Sequence, residues 1–145
     1  MGRLILVTMT MVAAAAAQSP SADPPPFHVI VARANPVSSI SRAGLSSVFM
    51  KRTRTWPDGS PIVPVDQPAT SRTRELFSRS VHGKSVAYVT RYWHRLIFSG
   101  RGIPPIEMPS DAAVIEFVRA NRGAIGYVDR RTAAGDDVRV IAVTP

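Results

Sequence analysis

The sequence predicts a single α/β domain: one three-layer-like lobe in which a mixed or mostly parallel sheet is flanked by helices. Two observations carry this. Apolar β-branched runs alternate along most of the chain with segments whose apolar residues recur at helical spacing. The 145 residues, moreover, suffice for one core and leave little for a second.

Residues 1–17 read as a secretory signal. Arg3 supplies a positive start, residues 4–12 an apolar stretch, and the alanines at 13–17 the small residues at which cleavage occurs, most simply after Ala17. The apolar stretch is short for a membrane span, and nothing later in the sequence is long and apolar enough to be one. Residues 18–26 form a Ser- and Pro-rich leader. The folded domain is then expected over residues 27–145.

Residues 27–34 contain His-Val-Ile-Val-Ala, a buried strand by composition, ended by Asn35 and Pro36. A helix is expected to begin at Ile40 and Ser41, with Ser41 as N-cap, Ile40 stapled on Leu45, and Leu45, Val48 and Phe49 facing inward. A basic run at residues 51–54 closes that helix, where cations complement the dipole or meet an acidic surface. Trp56-Pro57-Asp58-Gly59 then reads as a turn.

Residues 63–77 read as strand, loop and helix, with Thr70 or Ser71 as N-cap. After a stop at residues 82–84, Val86, Val89, Trp93, Leu96 and Ile97 mark the inward stripe of a further helix. Glycines and prolines at 99–105 make a loop. Ser110 caps a last helix with Val114, Phe117 and Val118 inward, and Asn121-Arg122-Gly123 is expected to end it with a left-handed cap. Strands over 124–128 and 138–143 follow. Gly126, inside the first of them, implies close approach of another backbone or a ligand.

Composition narrows function. There is no cysteine, so disulfides, thiolate metal sites and cysteine nucleophiles are excluded. No Gly-x-Ser-x-Gly elbow or His-rich metal spacing occurs, so neither an enzyme nor a cofactor is expected. The formal charge of +8 suits a negatively charged ligand or partner. For an exported chain a small oxyanion or an anionic envelope surface fits better than nucleic acid.

The candidate anion site is the helix start at Ser71, Arg72, Thr73 and Arg74. There hydroxyls, free backbone N–H groups, the positive dipole end and two guanidinium groups are gathered. The same residues also suit an ordinary capped helix with solvated arginines.

Three segments in order resemble the PstS-like solute-binding proteins of phosphate ABC transporters, type 2 periplasmic binding proteins. Residues 41–56 are similar to the family's helix with its Ile-Phe-x-Gly-Lys-x-x-x-Trp pattern. Residues 61–77 resemble its strand and Ser-Gly-Thr helix start, and Gly123-Ala-Ile-Gly-Tyr-Val128 its Gly-x-Ile-Gly-Tyr strand. The resemblance implies a periplasmic-binding-protein-like fold in short, single-lobe form, a periplasmic or secreted location, and phosphate or a related oxyanion as ligand. A transporter or other envelope protein is the implied partner, with no membrane span left after cleavage.

Two departures bear on the ligand. Ser-Gly-Thr stands here as Ser71-Arg72-Thr73, and the family's preceding arginine aligns with Gln67, which removes a bidentate phosphate partner. The alternative function is therefore an envelope interaction module that kept the fold and lost the ligand site, docking through its arginines and the segment 91–105.

Overall fold

The computed structural model describes residues 23–145, so the expected signal and most of the leader lie outside the described residues. Six strands form one mixed sheet in the order β2-β6-β1-β5-β3-β4. At its centre, β1 (Phe27–Ala32) runs antiparallel to both β5 (Ala124–Asp129) and β6 (Val138–Thr144). β3 (Val63–Asp66) lies parallel to β5 and to the two-residue β4 (Ile106–Glu107), and β2 (Ser39–Ser41) parallel to β6.

β1 is apolar but for the half-buried His28 because both its faces are covered. Phe27, Val29 and Val31 point to one side, where they join α1 (Arg42–Phe49), α2 (Arg72–Phe77) and the π-helical turn Ser78–His82 that continues α2. Ile30 points to the other side, where Val114 and Val118 of α4 (Asp111–Ala120) pack with Val65 and Val128. The result is the helix-sheet-helix layering expected. On the first face Phe77 stacks on Tyr127 with centroids 3.9 Å apart, and Phe27 and Phe49 meet both rings at steeper angles. α3 (Val86–Phe98) forms a smaller cluster, in which Val89 and Trp93 meet Met50.

The hydroxyl caps form as expected. Ser41, Ser71 and Ser110 each accept from a first-turn N–H, and Ser85 does so for α3, a cap the sequence reading did not name. Several expectations are corrected. Residues 39–41 form an edge strand before α1 starts at Arg42, because β6 offers them a parallel partner. Ile97 is exposed, since α3 is covered along a narrow strip only. Asn121 is extended at φ −130° and not left-handed. Gly123 is required instead by crowding: a Cβ there would lie 2.4 Å from the carbonyl oxygen of Pro61. At Gly126 the close neighbour is a helix, for a Cβ would lie 2.7 Å from Cγ1 of Val114 and hold α4 off the sheet.

Candidate functional site

The carboxyl ends of β3, β4 and β5 point the same way, since the three run parallel, and this end of the sheet holds the candidate site. Asp66 closes β3 and is buried. Its Oδ1 accepts from the Tyr127 hydroxyl in a very short bond and from the backbone N–H of Gln67 at 2.9 Å; its Oδ2 lies 3.3 Å from Nη2 of Arg74.

Gln67 is buried as well. Its side-chain amide donates to Asp111 Oδ1 at 2.7 Å and to the Tyr127 carbonyl at 3.0 Å, and its Oε1 accepts from Ser71 Oγ at 2.6 Å. Asp111, in the first turn of α4, spends its other oxygen on Thr132 Oγ1 at 2.6 Å and on the backbone N–H of Asp129 at 3.1 Å. One polar network thus ties β3, α2, α4 and β5 together, and satisfied networks of this kind fix a single arrangement.

Within it the four predicted site residues separate into two sets. Ser71 caps α2, accepting from Arg74 N at 3.2 Å while donating to Gln67. Thr73 is buried beside it. The N–H groups of Arg72 and Thr73 fall in the first turn, where no carbonyl of the helix can reach them, and neither has another partner among the described residues. The arginines do not join this set. Arg72 projects into solvent and pairs with Glu75 at 3.0 Å. Arg74 is buried and turned inward, donating to the Gln67 carbonyl at 2.6 Å and to Glu107 Oε2 at 3.1 Å.

The charge balance follows from these pairings. Arg74 faces two carboxylates, Asp66 and Glu107, so its charge is spent inside the protein. Burial raises the Asp66 pKa above the ordinary carboxylate range, although Arg74 and the Tyr127 hydroxyl favour the ionised form. Burial and the neighbouring Asp66 charge push the Tyr127 hydroxyl far up, so it remains a donor. What remains uncommitted is therefore the backbone N–H pair and the Thr73 hydroxyl, since the Ser71 proton goes to Gln67, with no net positive charge from Arg74.

The sequence reading left out Asp66, Glu107, Asp111 and Tyr127 as members of this site. A signal was present for two of them: a carboxylate directly after a buried strand needs donors, and so does the hydroxyl of a tyrosine inside an apolar strand. Among the described residues no group of His, Asp and Glu has an arrangement suited to holding a metal ion.

A family model described as a PBP superfamily domain matches residues 25–141. The chain belongs to this superfamily. No curated protein sequence matches this PBP domain. Among solved structures it is similar to an ABC-type phosphate transport receptor of Vibrio cholerae, with a TM-score of 0.61 and 20% identity over 81% of this chain and 45% of that one. A provisionally assigned phosphate ABC transporter substrate-binding protein of Clostridium perfringens, solved with bound phosphate, gives 0.63 and 19% over 81% and 44%. PstS of Borrelia burgdorferi gives 0.56 and 12% over 81% and 46%. At these identities the likeness is one of fold. The PBP domain spans less than half the length of the solved relatives it matches.

Proposed function

We propose that this PBP domain is an exported, substrate-binding-protein-like module that binds phosphate or a related small oxyanion weakly at the start of α2. The observation that carries the reading is the pair of consecutive N–H groups of Arg72 and Thr73, unpartnered among the described residues, beside the Thr73 hydroxyl at the carboxyl end of β3, with Ser71 holding the helix start in place. Three solved proteins of similar fold are named for phosphate transport or as PstS, which supports phosphate as the first ligand to test. The role is one of binding and delivery, with no chemical step. A periplasmic or secreted location is part of the proposal; no helix of the described residues is long and apolar enough to cross a membrane.

Weak binding follows from the electrostatics. With Arg74 held by Asp66 and Glu107, the anion gains backbone and hydroxyl bonds in a partly wet site, so the dissociation constant should be on the order of millimolar to high micromolar. The neutralisation of Arg74 also favours a second reading, an envelope interaction module that kept the fold without the ligand.

Calorimetric titration with phosphate and sulfate separates the two. The first reading expects saturable heat that disappears in the double variant Ser71→Ala with Thr73→Val and persists in Arg130→Ala with Arg131→Ala. Absence of saturation, or equal loss in both double variants, would remove the site and leave the interaction module.

A further inference from the structure

Away from the α2 site, two helix C-termini converge beside the strand edge that leads into β3. α1 ends in the loop carrying Lys51, Arg52 and Arg54, and α3 ends in the loop carrying Arg101. Between them lies an open groove of about 640 Å³, which shares its rim with a smaller recess of about 240 Å³. Lys51, Arg54 and Arg101 line both, and Arg52 lines the recess. No Asp or Glu lines either one.

Six arginines elsewhere, Arg72, Arg74, Arg79, Arg119, Arg122 and Arg131, have carboxylate partners, whereas Arg33, Arg42, Arg91, Arg95, Arg130 and Arg139 have none among the described residues. None of the four cations of the groove has one among the described residues. Helix dipoles account for cations at each terminus singly. They do not account for four cations surrounding one concavity without a counter-charge.

Three further features mark the groove. Lys51 sits at φ 53°, in the left-handed region. It is the left-handed cap that ends α1, with Lys51 N bonding the Val48 carbonyl at 3.0 Å and Arg52 N the Ser47 carbonyl at 2.8 Å, so its ammonium is fixed beside the groove. Burial and Arg54 lower the Lys51 ammonium pKa, as uncompensated positive charge would.

Trp93, which lines the recess, has its indole N–H buried without a hydrogen-bond partner among the described residues. A buried donor left unsatisfied costs about 1–3 kcal/mol, and its indole proton reports on packing around the recess. Finally, Ile103 stands 76% exposed at the rim, opposite Ile62 and Pro61. The loop bearing it is fixed: Arg101 N bonds the Leu96 carbonyl at 2.9 Å, and a Cβ on Gly102 would already press on Leu96 and Trp93 at 3.2 and 3.3 Å.

We infer that this groove is a docking site for an acidic, extended segment of a partner protein in which carboxylate side chains alternate with aliphatic ones. Carboxylates would meet Lys51, Arg54 and Arg101, one of them entering the recess over Trp93, while aliphatic side chains cover Ile62 and Ile103. A nucleic acid fits less well. The wall is aliphatic, and the two aromatic residues of the recess, Tyr92 and Trp93, pack edge to face on each other at 5.2 Å and offer no stacking platform. The inference uses no residue of the α2 site and stands whether or not that site binds phosphate.

The test uses the purified exported protein and a short fluorescein-labelled peptide alternating Glu and Leu. Fluorescence anisotropy should show saturable binding that falls about tenfold or more in Arg54→Glu with Arg101→Glu, both exposed positions, and stays within about twofold in Arg130→Glu with Arg131→Glu. In parallel, the Trp93 indole proton should shift in NMR spectra on adding peptide. The Trp56 indole, bonded to the Gly123 carbonyl at 3.1 Å, should not. Inorganic phosphate should move neither.

Lack of saturation would overturn the proposal, as would equal loss in the two double variants, which signals diffuse attraction. So would a static Trp93 resonance, or tighter groove binding by a short oligothymidylate.

Discussion

Replacing Tyr127 by Phe removes one oxygen from the buried network and little else. The ring keeps its stack on Phe77 at 3.9 Å and its contacts with Phe27 and Phe49, so no cavity larger than a hydroxyl is made. What is lost is a hydrogen bond to Asp66 and an acceptor for Gln67 N, whose other partner is Asp66 at 2.9 Å. A bond to a charged group contributes about 1.5–3 kcal/mol, so a loss of about 2 kcal/mol is expected where Asp66 is ionised. For a domain of this size that lowers the melting temperature by roughly 8 °C.

The pH dependence has a definite sign. Asp66 has a folded-state pKa above its ordinary 3.8, and removing the donor raises it further. A carboxylate of this kind destabilises the fold when ionised and ceases to do so as pH falls through the folded-state pKa. The deficit of the variant should therefore be full above the folded-state pKa of Asp66 and shrink as pH falls through it. Urea unfolding followed by circular dichroism, in steps from neutral pH downward, reads both quantities. A loss under about 0.5 kcal/mol, or a deficit that grows as pH falls, would refute the assigned role of the hydroxyl.

Gly126→Ala should cost about 1–3 kcal/mol, because its Cβ would come 2.7 Å from Val114 Cγ1, and Val114→Ala should relieve part of that cost in thermal melts of the double variant. His82 has its pKa lowered from 6.5 to about 4, first by burial and then by Arg74 and Arg52, with Ser46 Oγ 2.8 Å from its Nδ1. The neutral imidazole therefore supports the fold fully above pH 6.5, and up to about 3 kcal/mol is lost as pH falls toward 4, a loss that His82→Gln should abolish in pH-dependent unfolding. N-terminal sequencing of protein recovered from the periplasm should begin at or near Gln18, whereas full-length chain in the cytoplasm would contradict export.

What was legible in the sequence is what depends on neighbours along the chain. Ser41, Ser71 and Ser110 announce their caps because a hydroxyl before an apolar helical stripe has few better uses. The run Val29 to Ala32 announces β1 because a strand covered on both faces is apolar at consecutive positions. β2 and β4 were not legible. Ser39 to Ser41 and Ile106 with Glu107 carry little strand preference, and their pairing comes from β6 and β3 across the fold. Ile97 followed the helical period of its neighbours, yet no element lies over it.

The site was half legible for the same reason. Ser71 and Thr73 are read from local helix chemistry, and Gln67 stood out against the family pattern. That Arg74 would turn inward to Asp66 and Glu107 depends on β3, β4 and α2 meeting in space, which no spacing in the sequence reveals. A run of cations therefore overstated the charge available to a ligand.

The account rests most directly on what the first turn of α2 does with its free N–H groups, and residue-resolved NMR during a phosphate titration measures that. The amide resonances of Arg72 and Thr73 should move together and saturate on the order of millimolar to high micromolar, while those of Arg130 and Arg131 stay in place. Shifts spread evenly over the arginine-rich surface, or none at α2 at any phosphate concentration the protein tolerates, would contradict it.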